Sequence, residues 1–497
     1  MSAVLKPAPY QPASLPARTI AVAEGDGIGP EIMQATLAVL SAADPALSFQ
    51  QSTVGLKAYE SGELSGVGAE TWEAIDAHGV LLKGPITTPQ GGGYKSVNVT
   101  LRKTLGLFAN LRPCIAYDPF VPGLHPGMDL VIVRENEEDT YAGIEHRQTD
   151  EVVQCLKLIS RPGCERIVRY AFEYAVAHGR KKVTCMSKDN IMKLTDGLFH
   201  KVFDEIAAEY PQIISEHRII DIGTARIAAR PKDFDVVVTP NLYGDILSDV
   251  AAEVAGSIGL AGSSNVGPTC AMFEAVHGSA PDIAGQDIAN PSGLLLSAVM
   301  MLVHLGRARP ATDIHNAWLC ALEDGLHTAD IFREGRSAQR LGTRAFAQAV
   351  IERLGQRPRK LAPVDYPEQP AAQLKLVSGK DSLPRATKTL DGVDAFLHWN
   401  EAGRDPQVLG QALGSLAGPE FNLRLITNRG VKVFPHGHPG TFCTDHWRCR
   451  FLLADAADRR AIPALLLRLA EAGFDAIKTE NLYRFDGERG YSLAQGE

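Results

Sequence analysis

Thr19-Ile-Ala-Val-Ala-Glu-Gly-Asp-Gly-Ile-Gly-Pro-Glu31 is a short apolar run, then a glycine turn, with Pro30 placed where the first turn of a helix tolerates it. The stretch predicts strand, turn and helix. Its glycines fall at 25, 27 and 29, not in the Gly-x-Gly-x-x-Gly spacing of a dinucleotide cradle, so the turn is predicted to be structural. The runs Val80–Lys83, Leu130–Arg134, Lys182–Met186 and Asp235–Thr239 repeat the theme, each entering a polar or glycine-rich loop. An α/β fold follows, without internal repeats. Near residues 355–370 the composition shifts to Pro, Lys and Arg, which marks a linker. Beyond it, strands near 393–399, 421–426, 430–434 and 447–453 and helices near 405–416 and 460–472 predict a small two-layer α+β module.

The chain has 497 residues, enough for about three domains of ordinary size, and a net charge of −8 from 50 basic and 58 acidic residues. Charges are well mixed, with no basic stripe or zinc-finger spacing, so no nucleic-acid partner is expected. No apolar run is long enough to cross a membrane and no signal-peptide pattern opens the chain; a cytoplasmic protein with no membrane partner is expected, with a mobile arm over residues 1–17. Eight scattered cysteines form no disulfide framework.

Ser96, Asn98, Arg102 and Arg112 fall in one short segment, after the glycine loop Gly84–Gly93. Arg pairs with carboxylate oxygens through two parallel hydrogen bonds, and Ser and Asn add neutral contacts that discriminate between similar acids. A small polycarboxylate is the expected ligand. Asp245 and Asp249, at i and i+4 after a glycine turn, share a helix face and suit Mg2+ or Mn2+, although the same pair can be a solvated helix surface; a third carboxylate, Asp221, lies in Ile219-Ile-Asp-Ile-Gly223. Arg134 ends a strand, and Tyr141 follows as a phenol able to pass a proton if cations lower its pKa. Lys188 follows another strand, where a cationic site could tune it into a proton carrier. The small-residue loop from Glu274 to Pro291 could wrap an adenosine group against its backbone.

Together these segments resemble the isocitrate/isopropylmalate dehydrogenase family over roughly residues 18–350: Glu-Gly-Asp-Gly-Ile-Gly, Ser-x-Asn-x-x-x-Arg, Arg-Glu-Asn-x-Glu-Asp-x-Tyr-Ala-Gly, Asn-x-x-Gly-Asp-x-x-Ser-Asp and His-Gly-Ser-Ala-Pro occur in the family's order. The end of the chain, with Phe485-Asp-Gly-Glu-Arg-Gly-Tyr491, looks like the extension of the long-chain bacterial isocitrate dehydrogenases. The resemblance implies a two-part core with a non-Rossmann cofactor site, large domain over 18–106 and 257–355, small domain over 107–138 and 162–256, a clasp-like dimer segment over 139–161, a linker over 356–370 and a C-terminal domain over 371–497. It implies isocitrate held by Ser96, Asn98, Arg102, Arg112 and Arg134, metal held by Asp221, Asp245 and Asp249, and catalysis by Tyr141, Lys188 and Asp221, with Lys188 and Asp221 supplied by the second subunit of a homodimer. Thr87 and Asn190 are implied near the nicotinamide, and His277, Gly278, Ser279, Ala280, Asp282, Ile283 and Asn290 around the rest of the cofactor.

A polar Ser96 and Asn98 favour isocitrate over isopropylmalate. Asp282-Ile283 stands where NADP-using members are expected to carry Lys-Tyr, and its carboxylate would repel a 2′-phosphate, so NAD+ is the expected cofactor. The implied reaction is oxidative decarboxylation of isocitrate to 2-oxoglutarate in the tricarboxylic acid cycle, the alternatives being homoisocitrate or 3-isopropylmalate oxidation or a non-catalytic regulatory homologue. The C-terminal module is expected to mediate subunit contacts. His436, His438, Cys443, His446 and Cys449 match no standard zinc spacing.

Overall fold

A computed structural model describes residues 10–88, 95–368, 385–401, 403–454 and 458–495. Most of the expected arm, the loop end at 89–94 and residues 369–384 around the linker and domain start lie outside the described residues.

Before residue 276 come strands β1 (Arg18–Ala23), β2 (Leu47–Ser52), β3 (Val80–Lys83), β4 (Ala109–Ile115), β5 (Asp129–Glu135), β6 (Glu145–Arg147), β7 (Val153–Cys155), β8 (Lys182–Ser187), β9 (Ile214–Ile219), β10 (Val236–Thr239), β11 (Gly262–Val266) and β12 (Ala271–Ala275). Ten of them make one sheet in the order β2-β1-β3-β12-β11-β4-β5-β10-β8-β9, while β6 and β7 form a hairpin. The outer runs β2-β1-β3-β12 and β5-β10-β8-β9 are parallel, and β12-β11-β4-β5 between them is antiparallel. Parallel strands need crossover helices that cover both faces, which is why β3 and β10 are buried at every residue.

One core gathers Ile20, Ile32, Leu40, Leu295 and Trp318 from β1 and the helices Gly29–Ala43, Ser292–His304 and Ala308–Glu323; another packs Val133 and Val183 against Ile167 and Phe203 from the helices Arg161–Ala177 and Thr195–Ala207. Each such buried side chain contributes roughly 1.5–3 kcal/mol. The opening glycine turn is structural. Gly27 has φ +58°, and a Cβ there would stand 2.0 Å from the carbonyl oxygen of Ser279. The backbone N–H groups of Asp26 and Ile28 donate to the carbonyls of Pro85 and Ser279 at 2.8 and 2.9 Å, so the turn clamps two later loops together.

The chain divides into two compact units, one over Met1–Tyr141, Leu158–Ile191 and Asp196–Val377, the other over Ala142–Lys157, Met192–Thr195 and Ser378–Glu497. In the second, an antiparallel sheet runs in the order Val431–Phe434, Phe421–Asn428, His446–Leu453, Lys388–His398, Asp475–Phe485, Glu488–Arg489. The helices Pro406–Leu416 and Ala461–Glu471 turn Leu409, Leu413, Leu465 and Leu469 onto Trp447 and Phe451. The β6–β7 hairpin belongs to this unit: Arg404 grips Glu151 at 2.7 and 2.9 Å, and Lys478 donates to Gln154 at 3.2 Å. The five His and Cys residues at 436–449 gather in no metal-ligand group among the described residues, and Cys449 lies in the core beside Trp447. No helix of the described residues is long and apolar enough to cross a membrane.

Candidate active site

Antiparallel pairing of β4 and β5 sets Asn110 opposite Arg134 and Arg112 opposite Ile132, while parallel pairing of β10 brings Thr239, just before the helix Asn241–Ala255, beside Arg134. That helix therefore starts against Arg134. Gly244 makes room, since a Cβ there would stand 2.6 Å from the arginine side chain. Asn241 Oδ1 accepts from Arg134 Nε and Nη2 at 3.0 and 2.8 Å, and Arg134 Nη1 pairs with Asp245. Tyr141 donates its phenol proton to the other oxygen of Asp245 at 2.5 Å, with its ring 4.9 Å from the guanidinium. Arg112 lies 3.3 Å from Asp245 and 3.6 Å from Asp249 and donates to Ser248 at 2.6 Å.

Burial, with Arg112 and Arg102 adding repulsion, pulls the Arg134 pKa down to about 9. Burial alone would raise Asp245, but Arg134 and Arg112 outweigh it and hold the carboxyl below its usual range. Asp249 is raised by burial, with Asp245 adding to the shift against Arg112. Two carboxylates beside one guanidinium are a donor set that a divalent cation fits. The condition that cations lower the Tyr141 pKa is not met within the chain: burial and the adjacent Asp245 raise the phenol despite Arg134. It is a proton donor in this state.

Arg102 reaches Glu274, donating from Nη2 at 2.9 Å, and the second oxygen of Glu274 meets Lys83 at 2.7 Å. Neither Lys83 nor Glu274 was singled out from the sequence; the signal was a charged residue closing or interrupting an otherwise apolar strand, Val-Leu-Leu-Lys in β3 and Ala-Met-Phe-Glu-Ala in β12. On the helix Val97–Thr104, Asn98 carries a buried Oδ1 with no hydrogen-bond partner, and Ser96 precedes it within 3.4 Å of Thr88.

Lys188 and Asp221 form a second cluster, 3.0 Å apart, with Asp221 exposed and its pKa lowered by the lysine. Among the described residues, Asp221, Asp245 and Asp249 do not gather into one group of ligand atoms within 4.8 Å of one another. Asn190 is exposed beside this cluster in sequence.

Thr87 and Ser279 share a hydrogen bond at 2.7 Å, and the Thr87 N–H donates to Asp26 at 2.8 Å, so these two expected cofactor residues do meet. His277 has a buried Nε2 without a hydrogen-bond partner, and burial lowers its pKa. A Cβ on Gly278 would touch nothing, leaving open backbone there. Ala280 holds φ +38°, an uncommon conformation for alanine that costs about 1–3 kcal/mol. Ile283 packs on the large core, and Asn290 is committed to Asp330 at 3.0 Å and to the N–H of Ser292 at 2.9 Å. Asp282 is exposed on the turn Pro281–Ile283.

The fold and this cluster define an α/β protein with a cationic cage around two carboxylates, suited to a small polyanion. The chain belongs to the isocitrate/isopropylmalate dehydrogenase family, whose model matches residues 19–350, and the bacterial isocitrate dehydrogenase C-terminal domain matches residues 388–497. A Rickettsia bellii protein named isocitrate dehydrogenase [NADP] is 55% identical over 480 residues, covering 96% of this chain and 99% of its own. A Thermus thermophilus protein of the same name is 45% identical over 97% of this chain and 96% of its own. The crystal structure of the TT0538 protein from Thermus thermophilus superposes with a TM-score of 0.90 at 45% identity, covering 97% of this chain and 96% of that one.

These names overturn the expectation of NAD+. Asp282 is exposed, and an exposed carboxylate is screened by water and salt, so its charge is a weak ground for excluding a 2′-phosphate.

Proposed function

We propose that the chain is an isocitrate dehydrogenase, converting isocitrate and NADP+ to 2-oxoglutarate, CO2 and NADPH. The observation that carries this reading is the convergence of Arg112 and Arg134 on Asp245, with Arg102 contributing to the same field. In it Ser96, Asn98, Arg102, Arg112 and Arg134 bind the substrate carboxylates. Asp245 and Asp249, with Asp221 from a second copy of the chain, hold Mg2+ or Mn2+. When bound, that ion serves as a Lewis acid toward the oxygen at the oxidised carbon. Lys188 of the second copy accepts the hydroxyl proton as hydride leaves for the nicotinamide, and Tyr141 returns a proton to the carbon that loses CO2. A homodimer with shared sites is part of this proposal; in its support, the three carboxylates form no common ligand group among the described residues of one chain. The full-length relatives named for NADP support that cofactor; Thr87, Asn190 and the 277–290 loop would receive it.

Initial rates with isocitrate, homoisocitrate and 3-isopropylmalate, each with NADP+ and with or without Mg2+, test the proposal. Ion-dependent NADPH formation with isocitrate as the best substrate is expected. Faster turnover of 3-isopropylmalate, or none with any acid, would overturn it.

A further inference from the structure

The turn between β6 and β7 packs on the C-terminal sheet through three successive residues. Thr149 donates to Asp445 Oδ1 at 2.5 Å, and Glu151 accepts both from Arg404 and from the backbone N–H of Asp445, the latter at 3.1 Å. Between them stands Asp150, whose carboxylate lies with His398 and Asp445 in a group whose ligand atoms are all within 4.8 Å of one another. The Asp445 side chain is 0% exposed, and its Oδ2 accepts no hydrogen bond. It faces His398 Nε2 at 3.3 Å, and Asp475 stands 4.0 Å from the other ring nitrogen.

A fully buried carboxylate oxygen without a hydrogen bond is costly unless a cation meets it. Asp150, Glu151, Asp445 and Asp475 bring four negative charges, and Arg147 and Arg404 bring two positive ones. The carboxylates thus exceed the guanidinium groups by two charges, the charge of one divalent cation. The 3.3 Å between His398 and Asp445 is long for a strong hydrogen bond but matches two ligand atoms bound at about 2.0–2.1 Å to one tetrahedral ion. By contrast Asp189, His200 and His217 already close their own contacts, His200 to Asp189 at 2.8 Å and His217 to Ser187 at 2.9 Å.

We propose that Asp150, His398 and Asp445 bind a divalent transition-metal ion, of which Zn2+ is the probe, fastening the β6–β7 hairpin to the C-terminal sheet. One imidazole and two carboxylates suit such an ion better than Mg2+, and Asp475 is placed to orient the ring from behind. Glu151 and Arg404 secure the neighbouring residues independently of metal.

The test uses the full-length protein, stripped with a chelator and kept in excess Mg2+ and isocitrate so that the candidate active site is filled. It is titrated with ZnCl2 and followed by calorimetry and by metal content after gel filtration. One Zn2+ per chain is expected for the wild type, none for His398→Gln, and affinity lowered at least about tenfold for Asp150→Asn and about tenfold for Asp475→Asn. At a Zn2+ concentration near the wild-type Kd, Zn2+ should raise the Tm of the wild type more than that of Asp150→Asn. Asp150 is on an exposed turn, so its variant decides the matter should the His398 variant fold poorly. Absence of Zn2+ binding by the wild type, or binding by Asp150→Asn equal to the wild type, would overturn the proposal and leave His398 and Asp445 as a simple ion pair.

Discussion

Lys83 and Glu274 face each other in register on the neighbouring parallel strands β3 and β12, joined by a 2.7 Å ion pair at 0% and 5% side-chain exposure. The other oxygen of Glu274 accepts from Arg102 and from Asn265, each at 2.9 Å. Burial would raise the Glu274 pKa, but Lys83 and Arg102 outweigh it and hold the group ionised. One carboxylate thus neutralises a buried lysine and fixes the direction of a proposed substrate arginine.

Glu274→Gln keeps the volume and removes the charge. Opening a buried ion network from one side costs about 3–5 kcal/mol, so a lower Tm in scanning calorimetry is expected, together with a raised KM for isocitrate. An unchanged KM would mean that Arg102 holds its position without Glu274.

Asp249 touches Arg112 only at 3.6 Å, whereas Asp245 is held by Arg134, Arg112 and Tyr141. Asp249→Asn should therefore weaken the response to Mg2+ by about tenfold or more with little effect on folding. Asp245→Asn should lower kcat as well, because Arg134 and Tyr141 lose their common partner. Divalent-ion titrations of activity separate the two.

Tyr141 donates to Asp245, and burial together with that carboxylate raises its pKa, so the phenol is protonated at neutral pH. Tyr141→Phe should reduce kcat by about 10²–10⁴ while isocitrate binding, which rests on the arginines, changes little. A KM change without a kcat change would remove Tyr141 from proton delivery.

Glu135 is 3% exposed, and burial pushes its pKa up to about 7 against the backbone N–H groups of Glu137 and Glu138. The native state then holds this proton more tightly than the unfolded chain. Its stabilising contribution is full below the ordinary carboxylate pKa and is lost as pH rises through about 7. In thermal unfolding the wild type should lose stability relative to Glu135→Gln between about pH 5 and about pH 8. Parallel curves would contradict the shift.

What the sequence made legible was local. The apolar run before Gly25 and Gly27, the i, i+4 pair Asp245 and Asp249, and the strand expected near 393–399, which runs Lys388–His398, each encode their element within a few residues. Partners far apart in the chain were not legible: the Thr149 contact to Asp445 spans 296 positions, and that of Arg102 to Glu274 spans 172. Asp475–Phe485, not among the strands expected beyond the linker, is a strand because Lys388–His398 offers it an edge. The direction of the Tyr141 shift needed its burial, and the weight given to Asp282 needed its exposure, neither of which a residue's identity reveals.

The central proposal is that each site joins the Arg134–Asp245 cage of one chain to Lys188 and Asp221 of a second. Lys188→Met and Asp245→Asn, each inactive alone, can be co-expressed with different affinity tags and their hybrid dimer isolated by two successive captures. In the hybrid, one site combines an intact cage with an intact lysine, and about half of the wild-type activity per dimer is expected. A hybrid as inactive as its two parents would contradict the shared site.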